Sequence, residues 1–318
     1  MPRLSFAEPD HWPAIHQLRT TAPPCTPDAL YSWIHAQHVP TRYEAQIGSA
    51  LDKVMRQHTG TNECWLAVSG PSHLGKSSAL TQVVLERAMT EPHAWRQRNP
   101  DGYLQTPYVY VEAASKQEAR GLLAAIARVL GLPDVGNEKD LHQMLSQALP
   151  SLGVRLIVVD DAQMYRRVSD SASRLTDGIR NLLHLPVPFV FVGIDLEHSA
   201  LLRDPGRNND TVLQLQRRRI QLNLSPLRTG QERTAFDAIT SLDRRMRKVV
   251  DLDLRYMDHH LIRDLLLHLD GRLGSILNTL KRAFVEAIAN NKGVVTADLV
   301  RNEADSVRRD SAAQQVTA

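Results

Sequence analysis

The chain has 318 residues, 42% hydrophobic and 23% charged, which argues against a disordered protein and leaves room for two domains and a tail. A formal charge of +3 decides nothing about nucleic acid by itself, so only local clusters of Lys and Arg carry weight. Cys25 and Cys64 have no Cys or His at metal-ligand spacing, no apolar run reaches the roughly 18 residues of a membrane span, and "MPRLSFAEPDHW" does not read as a signal peptide; no zinc site, disulfide framework or membrane is expected, and the location is expected to be cytoplasmic.

Residues 1–45 carry Pro23, Pro24, Pro27 and Pro40, one short helix at "DALYSWIHAQH" and no strand pattern, and read as an arm. A helical period takes over in "TRYEAQIGSALDKVMRQH", with Ala45, Ile47, Leu51, Val54 and Met55 near one face. Apolar runs then appear at "CWLAVSG", "YVYVEAA", "RLIVVDD" and "FVFVGID", with a fifth at "RRIQLNLSPL". Helical stretches separate them: "EARGLLAAIARVLGL", "EKDLHQMLSQALPSLG" and "ASRLTDGIRNLLHL". Continuous apolar strands with helical crossovers predict a five-stranded parallel sheet covered on both faces, over 46–226. Beyond Pro226 the strand patterns stop, and a small all-helical domain is expected over 227–305. The polar remainder, 306–318, is expected to be disordered.

The chemistry begins at "VSGPSHLGKSS". Gly70, Gly75, Lys76 and Ser77 stand at the spacing G-x-x-x-x-G-K-[ST], which arises by chance in roughly one chain in a hundred of this length. The segment Gly70, Pro71, Ser72, His73, Leu74, Gly75, Lys76, Ser77 and Ser78 follows a strand and opens a helix. There a glycine-rich turn can aim backbone N–H groups at phosphate oxygens, and the helix dipole adds to the attraction. Lys76 is expected to reach the β/γ-phosphates of ATP, and Ser77 to hold Mg²⁺. His73 has no assigned role beyond a solvent-facing spacer.

A phosphate cradle needs a carboxylate at the end of a later strand. "RLIVVDDAQ" supplies Asp160 for Mg²⁺ and Asp161 in the place of the catalytic base. Asp is one methylene shorter than the Glu usual there, so a slow ATPase with a long-lived ATP-bound state is expected. Asp195, after "FVFVGI", either senses the γ-phosphate or caps a following helix. Arg217, Arg218 and Arg219 are too many guanidiniums to bury, and Arg218 or Arg219 is a candidate arginine finger for a neighbouring subunit's ATP. A solvated basic turn, or a phosphate contact with nucleic acid, is the alternative. Arg272, beside Gly271, could reach back to ATP from the helical domain or lie on the surface. The run "DRRMRKVV" reads as an exposed helix face.

The order of these motifs resembles the AAA+ ATPases, a P-loop α/β fold with a helical lid, and more narrowly the TniB/TnsC group of transposition regulators. The likeness runs from about 40 to about 290 and is carried by "GVRLIVVDDAQMYRR", "LPVPFVFVGIDLEHSALLRD" and "LDGRLGSILNTLKRA". Asp161 and Ile194 depart from that group's usual Glu and Thr. The resemblance implies a homo-oligomer, ring or filament, that assembles with ATP on duplex DNA and passes a target site to a transposase, with a target-selection adaptor a further possible partner. It also implies DNA-backbone contacts from the loop after the second strand, where Lys116 and Arg120 match by position; an ordinary helix N-terminal turn is the alternative there. Another AAA+ clamp or helicase loader, or a signalling ATPase, shares every motif. In a P-loop phosphotransferase acting on a small substrate Lys76 and Asp160 would do related work, but such an enzyme needs neither the arginine cluster nor the lid.

Overall fold

The computed structural model describes residues 5–6, 8–24, 26–59, 63–90, 97–114, 119–164, 181–196, 217–247, 253–254, 259–290 and 293–316. Five strands, β1 (Trp65–Ser69), β2 (Tyr108–Glu112), β3 (Leu156–Asp160), β4 (Phe189–Gly193) and β5 (Arg219–Asn223), form one sheet in the order β2-β3-β4-β1-β5. Every pairing is parallel, as the continuous apolar runs require. Alternate side chains enter two separate cores. Leu66, Val68, Tyr110 and Val158 face one, and Ala67, Val109, Val111 and Val159 face the other.

The second core is closed by α5 (Ala119–Val129), α6 (Glu138–Ser151) and residues 182–187. The first core is larger and holds both ends of the chain. It takes α1 (Trp12–Thr20), α2 (Pro27–Ala36), α3 (Arg42–Gln57) and α4 (Lys76–Thr90), with the C-terminal helices α7 (Glu232–Met246), α8 (His259–His268), α9 (Leu273–Ala289) and α10 (Ala297–Val316). Residues 1–45 therefore carry a helix, α1, that the sequence reading does not include. Trp12, Trp33 and Ile34 are almost wholly buried. At about 25 cal/mol per Å² of apolar surface, each Trp contributes on the order of 4 kcal/mol to holding this segment down.

Two features differ from expectation. A parallel pair of two-residue strands, β6 (Asp253–Leu254) and β7 (Val294–Val295), joins the helical region, too short to leave a period in the sequence. The stretch from 306, expected to be disordered, continues α10 to Val316. Its polar composition hides an anchor on another helix. Arg282 of α9 donates to Glu303 at 3.0 Å, to Ser306 at 3.0 Å and to Asp310 at 2.9 Å. The helix expected over "ASRLTDGIRNLLHL" lies mostly outside the described residues. Among the described residues no helix is long and apolar enough to cross a membrane.

Candidate functional site

The site lies where the C-terminal ends of β1, β3 and β4 meet the start of α4. Gly70 leaves β1 with its backbone against β5: a Cβ there would stand 2.5 Å from the Leu224 carbonyl oxygen, so a side chain would part the two strands. The loop turns through His73 at φ 59° and Gly75 at φ 91°, and Leu74 is buried beneath it. Lys76 is buried, and its ammonium donates to the carbonyls of Gly70 at 2.8 Å and Pro71 at 2.7 Å, so it braces the loop it belongs to. Burial lowers its pKa to about 8, against the pull of Asp160, Asp161 and Asp195. A buried lysine whose charge is offset by carboxylates at the ends of β3 and β4, at the start of a helix, suits an anion with its own cation.

Strand β4 stands between β1 and β3, so the loop and Asp160 leave the sheet about 10 Å apart at two strand spacings. Side chains close that gap. Asp160 is buried; Ser77 and Tyr110 bond its carboxylate from their side chains, and the Asp161 N–H donates to Oδ1 at 2.9 Å. Burial raises the Asp160 pKa despite these donors. A hydroxyl beside a carboxylate is a hard-oxygen pair that fits Mg²⁺, which takes few protein ligands and leaves the rest to water and phosphate.

Asp161 is exposed, has φ 52°, and accepts a hydrogen bond from Gln163 at 3.1 Å. The other end of Gln163 accepts from the Ile194 N–H at 3.0 Å, which fixes its amide orientation, since a backbone N–H can only donate. Gln163 thus ties the loop after β3 to the end of β4. Asp195 is exposed and sits at φ 44°, in the left-handed region rather than the extended backbone of an ordinary helix N-cap. The next residue, Leu196, donates its N–H to the Ser69 hydroxyl at 3.0 Å, binding this strand end to the P-loop strand.

The helical region closes on the loop from the far side. Arg272 donates to the Ser72 hydroxyl at 3.2 Å, and the Ser275 N–H donates to the His73 carbonyl at 3.1 Å. The backbone of His73 therefore has a partner that its exposed side chain does not suggest. Gly274 permits the approach, because a Cβ there would meet the His73 carbonyl oxygen at 2.5 Å and the Gly75 nitrogen at 2.8 Å. Between α9, the P-loop and the segment before α3 lies a cavity of about 380 Å³, lined by His38, Val39, Thr41, Leu74, Leu273 and Asn278 among others. His38 bonds the Ser78 hydroxyl at 3.3 Å and Glu44 at 2.9 Å, joining the segment before α3 to the start of α4.

The arginines differ from the sequence reading. Only Arg217 of the three is exposed; Arg218 and Arg219 are half-buried at the N-terminal end of β5, the end of the strands opposite Gly70. Arg218 is paired with Glu63 at 2.5 Å, and Glu63 also takes His184 at 2.5 Å. A carboxylate on the segment before β1 is what brings Arg218 in from solvent. Arg120, in α5, donates to Asp134 and to the Gly136 carbonyl, both at 3.2 Å, so it clamps the loop before α6 and does not stand free. Lys116 lies outside the described residues.

Sequence reasoning passes over Tyr110, Gln163, His38 and Gly274. Tyr110 shares the strand parity that leads to Asp160, and Gly274 is a glycine with no turn to make; neither signal names a partner.

Residues 60–199 match the family model described as an AAA domain. Cdc6p from Pyrobaculum aerophilum is similar in structure, with a TM-score of 0.57 at 17% identity over 85% of this chain and 69% of that one. Orc1 from Aeropyrum pernix, solved in complex with DNA, gives 0.56 at 18% identity over 84% of this chain and 65% of that one. A Walker-type ATPase of Pyrococcus abyssi gives 0.50 at 14% identity over 86% and 73%. No curated protein matches the chain. The fold is the AAA+ P-loop α/β fold with a helical C-terminal region.

Proposed function

We propose that this protein is an ATP-dependent AAA+ regulator of DNA transposition, which oligomerises on duplex DNA and passes the target site to a transposase. The observation that carries the nucleotide half is the closure of the helical lid on the P-loop through Arg272 and Gly274, next to Ser77 and the buried Asp160. In this reading the loop N–H groups and Lys76 bind the phosphates, and Ser77 with Asp160 holds Mg²⁺. The bound cation neutralises phosphate charge. Arg272 reads the nucleotide from the lid, so that lid position follows what is bound. Asp161 orients the attacking water from a short side chain, which makes hydrolysis slow. Arg218, with Arg219 beside it, faces a neighbouring subunit from the end of the strands opposite the P-loop and completes that subunit's site.

The DNA half rests on the resemblance of the Asp160, Gly193 and Gly271 segments to the TniB/TnsC group, with a fold like that of Orc1, which was solved with DNA. The likeness to Cdc6p and Orc1 also favours a second reading, a replication-type loader with the same site and a different partner. Electron microscopy of the protein with duplex DNA and a non-hydrolysable ATP analogue tests the proposal. Rings or filaments on DNA that need the analogue, with little sequence preference and a strong salt dependence, are expected. Particles that ignore both DNA and nucleotide would remove it. Retention of the cognate transposase by the DNA-bound oligomer separates the regulator from the loader.

A further inference from the structure

The role of Tyr110 is not accounted for by packing. It lies on β2, two positions along from the register partner of Asp160, since Glu112 pairs with Asp160 and Tyr110 with Val158. Both side chains point to the same face of the sheet, and the phenol spans the diagonal that a shorter residue leaves open. Tyr110 is 4% exposed, and its hydroxyl donates to Asp160 Oδ2. Its ring is held in turn by Phe6, at 6.1 Å between centroids, and Phe6 packs edge-on against Trp12 at 5.9 Å. The other carboxylate oxygen, Oδ1, accepts the Asp161 N–H. Donors on both oxygens, one from β2 and one from the residue that follows β3, fix the plane of the carboxylate.

We infer that Tyr110 is a positioning residue for the metal carboxylate, holding Asp160 in the one orientation that turns its remaining lone pairs toward Ser77. The inference rests on the nucleotide reading given above. A partner that orients a metal-binding carboxylate from outside the coordination sphere controls metal affinity with little effect on the rest of the ligand. Tyr110→Phe keeps the ring that Phe6 packs on and removes only the donor.

Titration of MgCl₂ into full-length wild-type and Tyr110→Phe protein with a fluorescent ATP analogue tests this. The Mg²⁺ concentration at half-maximal binding is expected to rise about ten-fold in the variant, the low end of what such partners control. Affinity for the analogue in EDTA is expected to stay unchanged. In an Asp160→Asn background, Tyr110→Phe is expected to add nothing, because it acts through the carboxylate. An unchanged Mg²⁺ midpoint, an equal loss with and without Mg²⁺, or a further shift in the Asp160→Asn background overturns the inference alone. Wild-type protein that binds no analogue overturns the nucleotide reading and the inference with it.

Discussion

Arg272 and Ser72, 200 positions apart, meet at 3.2 Å, guanidinium to hydroxyl, across the seam between lid and P-loop. The contact joins the start of α9 to the loop that precedes α4. The backbone bond from Ser275 to His73 makes a second connection, three residues on in α9 and one on in the loop.

Gly274→Ala tests how tight that seam is. The added methyl would lie 2.5 Å from one backbone atom, 2.8 Å from a second and 3.1 Å from the Leu74 carbonyl carbon, none of which can rotate away. Overpacking of this kind costs about 1 to 3 kcal/mol, and here it is relieved by lifting the lid. Nucleotide affinity is expected to fall about ten-fold or more while far-ultraviolet circular dichroism keeps its helical content. Wild-type affinity in the variant would show that the lid is not part of the site.

Lys281 gives a prediction about pH. Its ammonium donates to the His35 carbonyl at 3.0 Å and the Gln37 carbonyl at 2.5 Å, where α2 ends. Burial, with Arg19 and Arg245 nearby, lowers its pKa from 10.5 to about 8. Between those values the unfolded chain holds a proton that the folded chain has released, so stability rises with pH across that window. Below about pH 8 both states are protonated and the whole penalty is present. Denaturant unfolding at about pH 7.5 and about pH 10 should show a smaller gain for Lys281→Met than for wild type. Some gain remains in the variant, because Lys76 is lowered over the same window. Equal gains in the two proteins would remove Lys281 from the account.

The sheet was legible because a parallel strand buried on both faces leaves an unbroken apolar run, and "RLIVVDD" or "FVFVGID" can be little else. The P-loop was legible for a different reason, since its chemistry is local and Lys76 and Ser77 sit on consecutive residues. What sequence did not reveal depends on partners far along the chain. Glu63 takes Arg218 out of solvent from 155 positions away, and Arg282 orders a polar helix end through Asp310, 28 positions on. Gly274 carries no signal until His73 is placed against it. Tyr110 reads as one more apolar strand residue, because its hydroxyl matters only once β2 and β3 are in register.

The role proposed for Asp161 ties rate to backbone geometry. At φ 52° it occupies a region that Asp and Asn tolerate better than longer side chains, so local geometry favours the residue that reaches least far. Asp161→Glu is expected to raise ATP turnover several-fold while lowering stability by about 1 kcal/mol, a fall in Tm of roughly 2 to 4 °C. Nucleotide affinity should not change, since Asp161 is exposed, bonds Gln163, and the substitution keeps its charge. A slower Glu variant with unaltered binding would mean that Asp161 is not the group that orients water.

Arg218 tests the subunit boundary. It stands at the N-terminal end of β5, the end of the strands opposite Gly70, so it cannot serve the nucleotide of its own chain. Arg218→Ala is expected to bind ATP normally and to lose about a thousand-fold in turnover, the low end of what a trans arginine supplies. Lys76→Ala is expected to bind no ATP while keeping Arg218 in place. Mixing the two inactive proteins should restore turnover that neither shows alone, because Lys76→Ala subunits lend their arginine to Arg218→Ala sites. Glu63→Gln refines the test. Its loss frees Arg218 from an ion pair at 2.5 Å, and if Glu63 orients the guanidinium toward the neighbour, turnover falls with ATP binding unchanged. Full activity in Arg218→Ala alone would assign the arginine to Glu63 and His184 as a structural clasp.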